Sequence, residues 1–83
     1  MQLIIRQALD QYGRLSVPAA SLDDAADLFG AGLASFTVVQ LMLALEEKLG
    51  VEFPDRMLNR KSFSSIAAIS ACLTELTSEK AVA

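Results

Sequence analysis

The sequence predicts an all-α domain. Apolar residues recur at helical spacing in three stretches, those stretches are rich in Leu, Ala, Gln, Glu and Met, and only two prolines occur. With 83 residues, of which 53% are hydrophobic and 20% charged, the chain is expected to form one folded domain over residues 1–83.

The first helix is expected over residues 2–12, where Leu3, Ile4, Ala8, Leu9 and Tyr12 form an apolar stripe with Arg6, Gln7 and Asp10 outside it, and Gly13 is its natural stop. Residues 14–34 lose that period. They contain Pro18, Asp23, Asp24, Gly30 and Gly32, interleaved with Leu15, Val17, Leu22, Leu28, Phe29 and Leu33. A connection this long with embedded apolar residues is expected to be pinned to the core.

The clearest helix is predicted over residues 35–49, where Phe36, Val39, Met42, Leu43, Leu45 and Leu49 recur at helical spacing before Gly50. Val51, Glu52 and Phe53 are expected to be extended, because the residue before Pro54 is pushed out of the α region. Pro54 and Asp55 then open a short turn through Leu58. The last helix is expected to open at Ser62 or Ser64 and to run to about Leu76, with Phe63, Ile66, Ile69, Leu73 and Leu76 as its apolar face. Four helices result, one of them short, with a long loop between the first two and a flexible end over residues 77–83.

Charge and composition remove several function classes. A net charge of −3 with seven scattered cations argues against nucleic acid, which is bound through clustered Lys and Arg. A helix-turn-helix reading fails for the same reason, since Lys48 is the only cation in residues 35–49. The chain has no histidine and a single cysteine, Cys72, so neither a zinc site nor a histidine-based triad can be assembled. No catalytic residue and no metal ligand is assigned, and Cys72 reads as an apolar structural thiol. The amino terminus MQLIIRQALDQ has an apolar run of only residues 3–5, which is neither a signal peptide nor a membrane span. The cytoplasm is the expected location.

Ser35 draws notice because it follows a glycine-containing loop and opens the strongest helix. Taken alone it is a helix N-cap, where serine is strongly preferred. A hydroxyl there is also exposed, beside free N–H donors and the positive end of the helix dipole, so a phosphodiester on it would be well placed.

The segment GLASFTVVQLMLALEEKLGVEFPD, residues 32–55, resembles the acyl carrier protein signature. In that family a serine-led helix ends in Leu-Glu-Glu and is followed by an extended apolar segment and Pro-Asp. The register is ungapped: Ser35 falls on the modified serine, Phe36 on the leucine after it, and Val39 and Leu41 on the mid-helix valine and leucine. The resemblance implies an acyl-carrier-like four-helix bundle with a 4'-phosphopantetheine arm, derived from coenzyme A, attached to Ser35. The chain departs from the family in having Ala34 where an aspartate usually precedes the serine, and Thr37 where an acidic or polar residue is typical. Losing those carboxylates weakens electrostatic steering toward basic partners and favours a specialised carrier.

The stretches AGLASF, VQLMLALEE and FPDRMLNRKSFSSI are similar to small aminoacyl carrier proteins served by seryl-tRNA-synthetase-like ligases. What this implies is a non-catalytic carrier holding an aminoacyl thioester on the arm. Its expected partners are a phosphopantetheinyl transferase, an amino acid:carrier protein ligase and a downstream acceptor enzyme, with no nucleic acid and no membrane involved. Leu33, Phe36 and Val39 would shape the surface beside the arm, and Glu46, Glu47, Asn59, Arg60 and Lys61 are the candidate partner contacts. Leu41, Leu45, Ile66 and Ile69 read as core, and a monomer is the simplest form. The competing reading is a small helical protein-interaction module without a prosthetic group, in which Ser35 is only a cap and an apolar stripe receives a partner helix.

Overall fold

A computed structural model describes the backbone of residues 2–82 and the side chains of residues 2–78. Three main helices form the frame: α1 (Gln2–Ala8), α2 (Ser35–Leu49) and α3 (Ile66–Val82). Short 3-10 turns at Ala19–Ser21, Asp55–Met57 and Lys61–Phe63 break the connections. The described residues are thus all-helical, and the expected short third helix is a single 3-10 turn. Pro54 is extended there, with φ −73° and ψ 161°, and Leu58 has already left the helical region.

The first helical segment ends at Gly13, the expected stop, but its last turn and its cap differ from expectation. After Ala8 it widens into a π-helical turn over Leu9–Gly13, and the left-handed residue that ends it is Arg14, at φ 52°. Its buried face is also rotated from the expected stripe. Ile5, Ala8 and Leu9 are fully buried, whereas Leu3 is 68% exposed. A short helix with apolar residues at positions 3, 4 and 5 permits either phase, and packing chose Ile5.

Arg6 explains the other side of that rotation. Its guanidinium donates to the carbonyls of Ala19 and Leu22, the latter at 2.8 Å, and pairs with Asp24 at 2.7 Å. From the π turn, the Asp10 carboxylate accepts the Ala19 N–H at 2.8 Å. The long loop is therefore pinned, as its composition predicted, but by two charged residues as well as by buried Ala19, Leu28 and Leu33.

Helix α2 spans the predicted residues and ends at Gly50, whose φ of 64° is the left-handed conformation that glycine adopts without penalty. Below it, Leu41 and Leu45 meet Ile5 and Leu9 of the first helix and Ile66, Ile69 and Leu73 of α3 in one core. Phe53 and Phe63 belong to the same core, their rings tilted by 47° with centroids 5.3 Å apart.

Helix α3 opens at Ile66, later than Ser62 or Ser64, because those serines are already engaged. Asn59 Oδ1 accepts the Ser62 N–H at 2.9 Å, and the Ser64 hydroxyl donates to the Lys61 carbonyl at 2.8 Å. Ser65 serves as the cap, accepting the Ala68 N–H at 3.0 Å. The Asp24 carbonyl takes the neighbouring Ala67 N–H at 2.8 Å, so the long loop also caps α3. The predicted apolar face of α3 is buried in full, and the helix continues past Leu76 to Val82. Of the end expected to be flexible, Thr77 is helical and donates its hydroxyl to the Leu73 carbonyl at 2.8 Å, while Ala83 lies outside the described residues. Among the described residues no helix is long and apolar enough to cross a membrane.

Leu45 carries no solvent exposure, and Leu45→Ala leaves a cavity that a small core cannot collapse. It is expected to lower unfolding free energy by about 3 kcal/mol, measured by urea denaturation with an unchanged m-value.

Candidate functional site

The start of α2 is built from a division of tasks between neighbouring residues. Ala34 is the N-cap residue, with extended φ −93° and ψ 151°, and Ser35 is the first helical residue. The capping is supplied by Thr37: its hydroxyl accepts the Ala34 N–H at 3.2 Å and donates to the Ala34 carbonyl at 2.7 Å. Thr37 is 1% exposed and its polar atoms are satisfied by this exchange. The reading of Ser35 as an N-cap is therefore corrected by one residue. Reciprocity with a buried Thr37 lets an alanine occupy the cap, and the Ser35 hydroxyl is left exposed and without a hydrogen bond among the described residues.

Around that hydroxyl the backbone donors are also open. Thr37 and Val38 N–H groups go to the Ala34 carbonyl, while those of Ser35 and Phe36 have no acceptor among the described residues. The approach to the helix turns at Gly32, whose φ of 112° is a conformation that residues with a Cβ rarely adopt. Leu33 then closes the turn by donating to the Leu28 carbonyl at 3.0 Å.

Beside Ser35 runs a groove of about 440 Å³. Val38, Val39 and Met42 of α2 form one wall, Phe29 of the long loop lies at one end, and Leu58, Asn59, Arg60 and Phe63 form the opposite wall. That second wall is organised by Asn59, whose amide donates to the Arg56 carbonyl at 3.0 Å while its oxygen holds Ser62. Arg60 stacks on Phe29, with the guanidinium carbon 3.8 Å from the ring centroid.

The residues singled out from sequence separate into groups. Asn59 and Arg60 line the groove together with Ser35 and Val39. Phe36 and Val39 are 66% and 52% exposed, Val39 being also part of the groove wall, whereas Leu33 is buried at 4%. Glu46 is half-buried and accepts the Phe53 N–H at 2.7 Å, so its carboxylate anchors the extended segment after α2. Glu47 and Lys61 are exposed and away from the groove. Leu41 and Leu45 are buried, as their reading as core residues expected, together with Thr37, while Phe36, Val39 and Leu43 of the same apolar run are exposed. Sequence reasoning missed Phe29, Val38, Met42 and Leu58 as groove walls. Met42 was visible only as one of the helically spaced apolar residues of α2, and nothing local links Phe29 to Arg60, 31 positions later.

The arrangement fits a phosphodiester-linked arm. A hydroxyl free to be esterified lies beside open backbone donors suited to an anionic oxygen, with an apolar groove alongside. The phosphopantetheine attachment site family matches residues 13–73. The chain belongs to that family.

Among its relatives, this phosphopantetheine-attachment domain is 54% identical over 69 residues to an aminoacyl carrier protein of Agrobacterium fabrum, strain C58, covering 83% of each chain. Its fold matches a chain in the crystal structure of an engineered Bradyrhizobium japonicum glycine:[carrier protein] ligase complexed with carrier protein from Agrobacterium tumefaciens and AMP. The TM-score is 0.86 at 50% identity, covering 89% of this chain and 99% of that one. A solution structure from Agrobacterium tumefaciens covers both chains completely, with a TM-score of 0.77 at 47% identity.

Two substitutions test how the attachment helix begins. Thr37→Val removes both hydroxyl bonds and leaves the Ala34 N–H unpaired, at an expected cost of about 1–2 kcal/mol. Ala34→Asp adds a side-chain acceptor at the cap and is expected to stabilise the fold by about 0.5–1 kcal/mol. Thermal and urea unfolding of the two variants would give shifts of opposite sign.

Proposed function

We propose that the chain carries an aminoacyl group as a thioester on a 4'-phosphopantetheine arm attached to Ser35 Oγ. The observation that carries this reading is the Ser35 hydroxyl itself, exposed, without a hydrogen bond among the described residues and set at the first turn of α2. Family membership supports the prosthetic group, and the aminoacyl carrier relative supports the cargo.

In the attachment step a phosphopantetheinyl transferase joins Ser35 Oγ to the pantetheine phosphorus of coenzyme A. The pyrophosphate P–O bond breaks, adenosine 3',5'-bisphosphate departs and the serine proton passes to the transferase. The open Ser35 and Phe36 N–H groups can hold the phosphodiester afterwards. When bound, the arm supplies a terminal thiol for the cargo. The chain itself catalyses nothing, and it offers a helix start that holds the linkage and a surface that partners recognise. Tethering raises the local concentration of cargo at each partner's active site.

An amino acid:carrier protein ligase is the proposed loading partner, supported by the ligase complex that contains a close structural match. Its docking surface is proposed on the exposed apolar residues Phe36, Val39 and Leu43 of α2, whose first turn holds no acid. Arg60 and Lys61 flank that surface across the connection to α3, and a downstream acceptor enzyme is proposed to use the same region. The cytoplasm, where coenzyme A is the arm donor, is the proposed compartment.

Intact-mass spectrometry after incubation with coenzyme A and a phosphopantetheinyl transferase tests the attachment. The expected result is the mass of one phosphopantetheine group on the unaltered chain and none on Ser35→Ala. No increase with several transferases would favour the interaction module without a prosthetic group. For docking, Phe36→Ala is expected to accept the arm normally and to lower kcat/KM for ligase loading about tenfold, equivalent to about 1.4 kcal/mol. Loading at the unaltered rate would remove Phe36 from the docking surface.

A further inference from the structure

Arg60 stands at the groove beside Ser35 as an exposed cation with no ionic partner among the described residues. The ion pairs found among the described residues are Arg6–Asp24 and Arg56–Glu75, and neither includes it. Its position is fixed twice, by stacking of the guanidinium on Phe29 and by the Arg60 carbonyl, which accepts the Phe63 N–H at 3.2 Å. No carboxylate lines the groove. Apart from Ser35 and the Asn59 amide, its remaining walls are alkyl and aromatic.

A group entering this space exchanges water for apolar surface next to one positive charge. A short hydrocarbon acyl group gains from that exchange. An α-ammonium group loses its hydration, meets no counter-ion and faces a guanidinium of its own sign. We infer that the groove sorts cargo by charge: it admits neutral short acyl groups and refuses aminoacyl groups, with Arg60 the residue that sets the refusal. This rests on the proposed attachment at Ser35. Aminoacyl cargo then stays outside at the full reach of the arm, while a chain acylated with an uncharged group withdraws its cargo.

Isobutyryl and alanyl thioesters provide the test, because they differ by one methyl replaced by an ammonium and so separate charge from size. Each is installed on the full chain from its coenzyme A thioester by a phosphopantetheinyl transferase, and intact mass verifies loading before spectra are taken. A chain that never gains the arm bears on the Ser35 reading alone. Methyl ¹H–¹³C spectra are then compared with those of the arm bearing a free thiol. Isobutyryl loading is expected to shift Val38, Val39 and Met42, and alanyl loading to leave them in place. In Arg60→Glu the alanyl group is expected to shift the same methyls, whereas Arg60→Lys should keep them still. Arg60→Gln removes the charge without reversing it and should give a partial alanyl shift, which decides the matter if Arg60→Glu does not fold. The inference is overturned if alanyl and isobutyryl act alike in the unaltered chain, whether both shift these methyls or neither does. It is equally overturned if alanyl remains without effect in the folded charge-removing variants.

Discussion

Arg6 reaches out of the first helix to two loop carbonyls and the Asp24 carboxylate, and much of the molecule is arranged by that reach. The loop it holds would otherwise be a 21-residue connection over residues 14–34, with an entropic cost that local turns alone could not offset. Once Asp24 is fixed, its carbonyl caps α3 through Ala67, and Leu28 docks its N–H on the Ser64 carbonyl at 2.8 Å. Phe29 follows directly, and with it one end of the groove. A single cation thus connects the amino-terminal helix to the site without touching it.

At the other end of that loop, the structure separates two jobs that a serine at a helix start could perform together. A capping serine has its hydroxyl occupied by a backbone donor, which lowers its availability for chemistry. Here the buried Thr37 satisfies the cap through Ala34, and Ser35 is released. The same economy of roles recurs beyond the helix, where Asn59 folds the second groove wall upon itself and leaves the adjacent Arg60 side chain to project over Phe29.

The sequence made some of this legible and hid the rest for identifiable reasons. Helix α2 was readable to the residue because Gly50 is a strong terminator and the amphipathic run before it is long. The α3 core face was readable because Phe63, Ile66, Ile69, Leu73 and Leu76 keep a clean period. The phase of α1 was not, since a short helix with apolar residues at positions 3, 4 and 5 gives periodicity little discriminating power, whereas in α2 Leu41 and Leu45 were readable as core. Ser35 was visible through its motif, but its freedom from capping depends on a threonine two residues later and on that threonine's burial. Glu46 looked like a surface acid because a bond to a backbone N–H seven residues away leaves no mark in the local pattern.

The acid-free first turn of α2 has a consequence for how this carrier shares a cell with others. Enzymes whose docking surfaces are built from lysine and arginine gain encounter rate from acidic helices, and they gain little of it here. Recognition through the proposed docking residues Phe36, Val39 and Leu43 would instead act after contact, in how long a fitted partner stays. Such a surface would insulate its traffic: enzymes tuned to highly acidic carriers would collide with it and leave, while a partner shaped to the exposed apolar residues would keep it, so that separate thioester pools coexist without physical compartments.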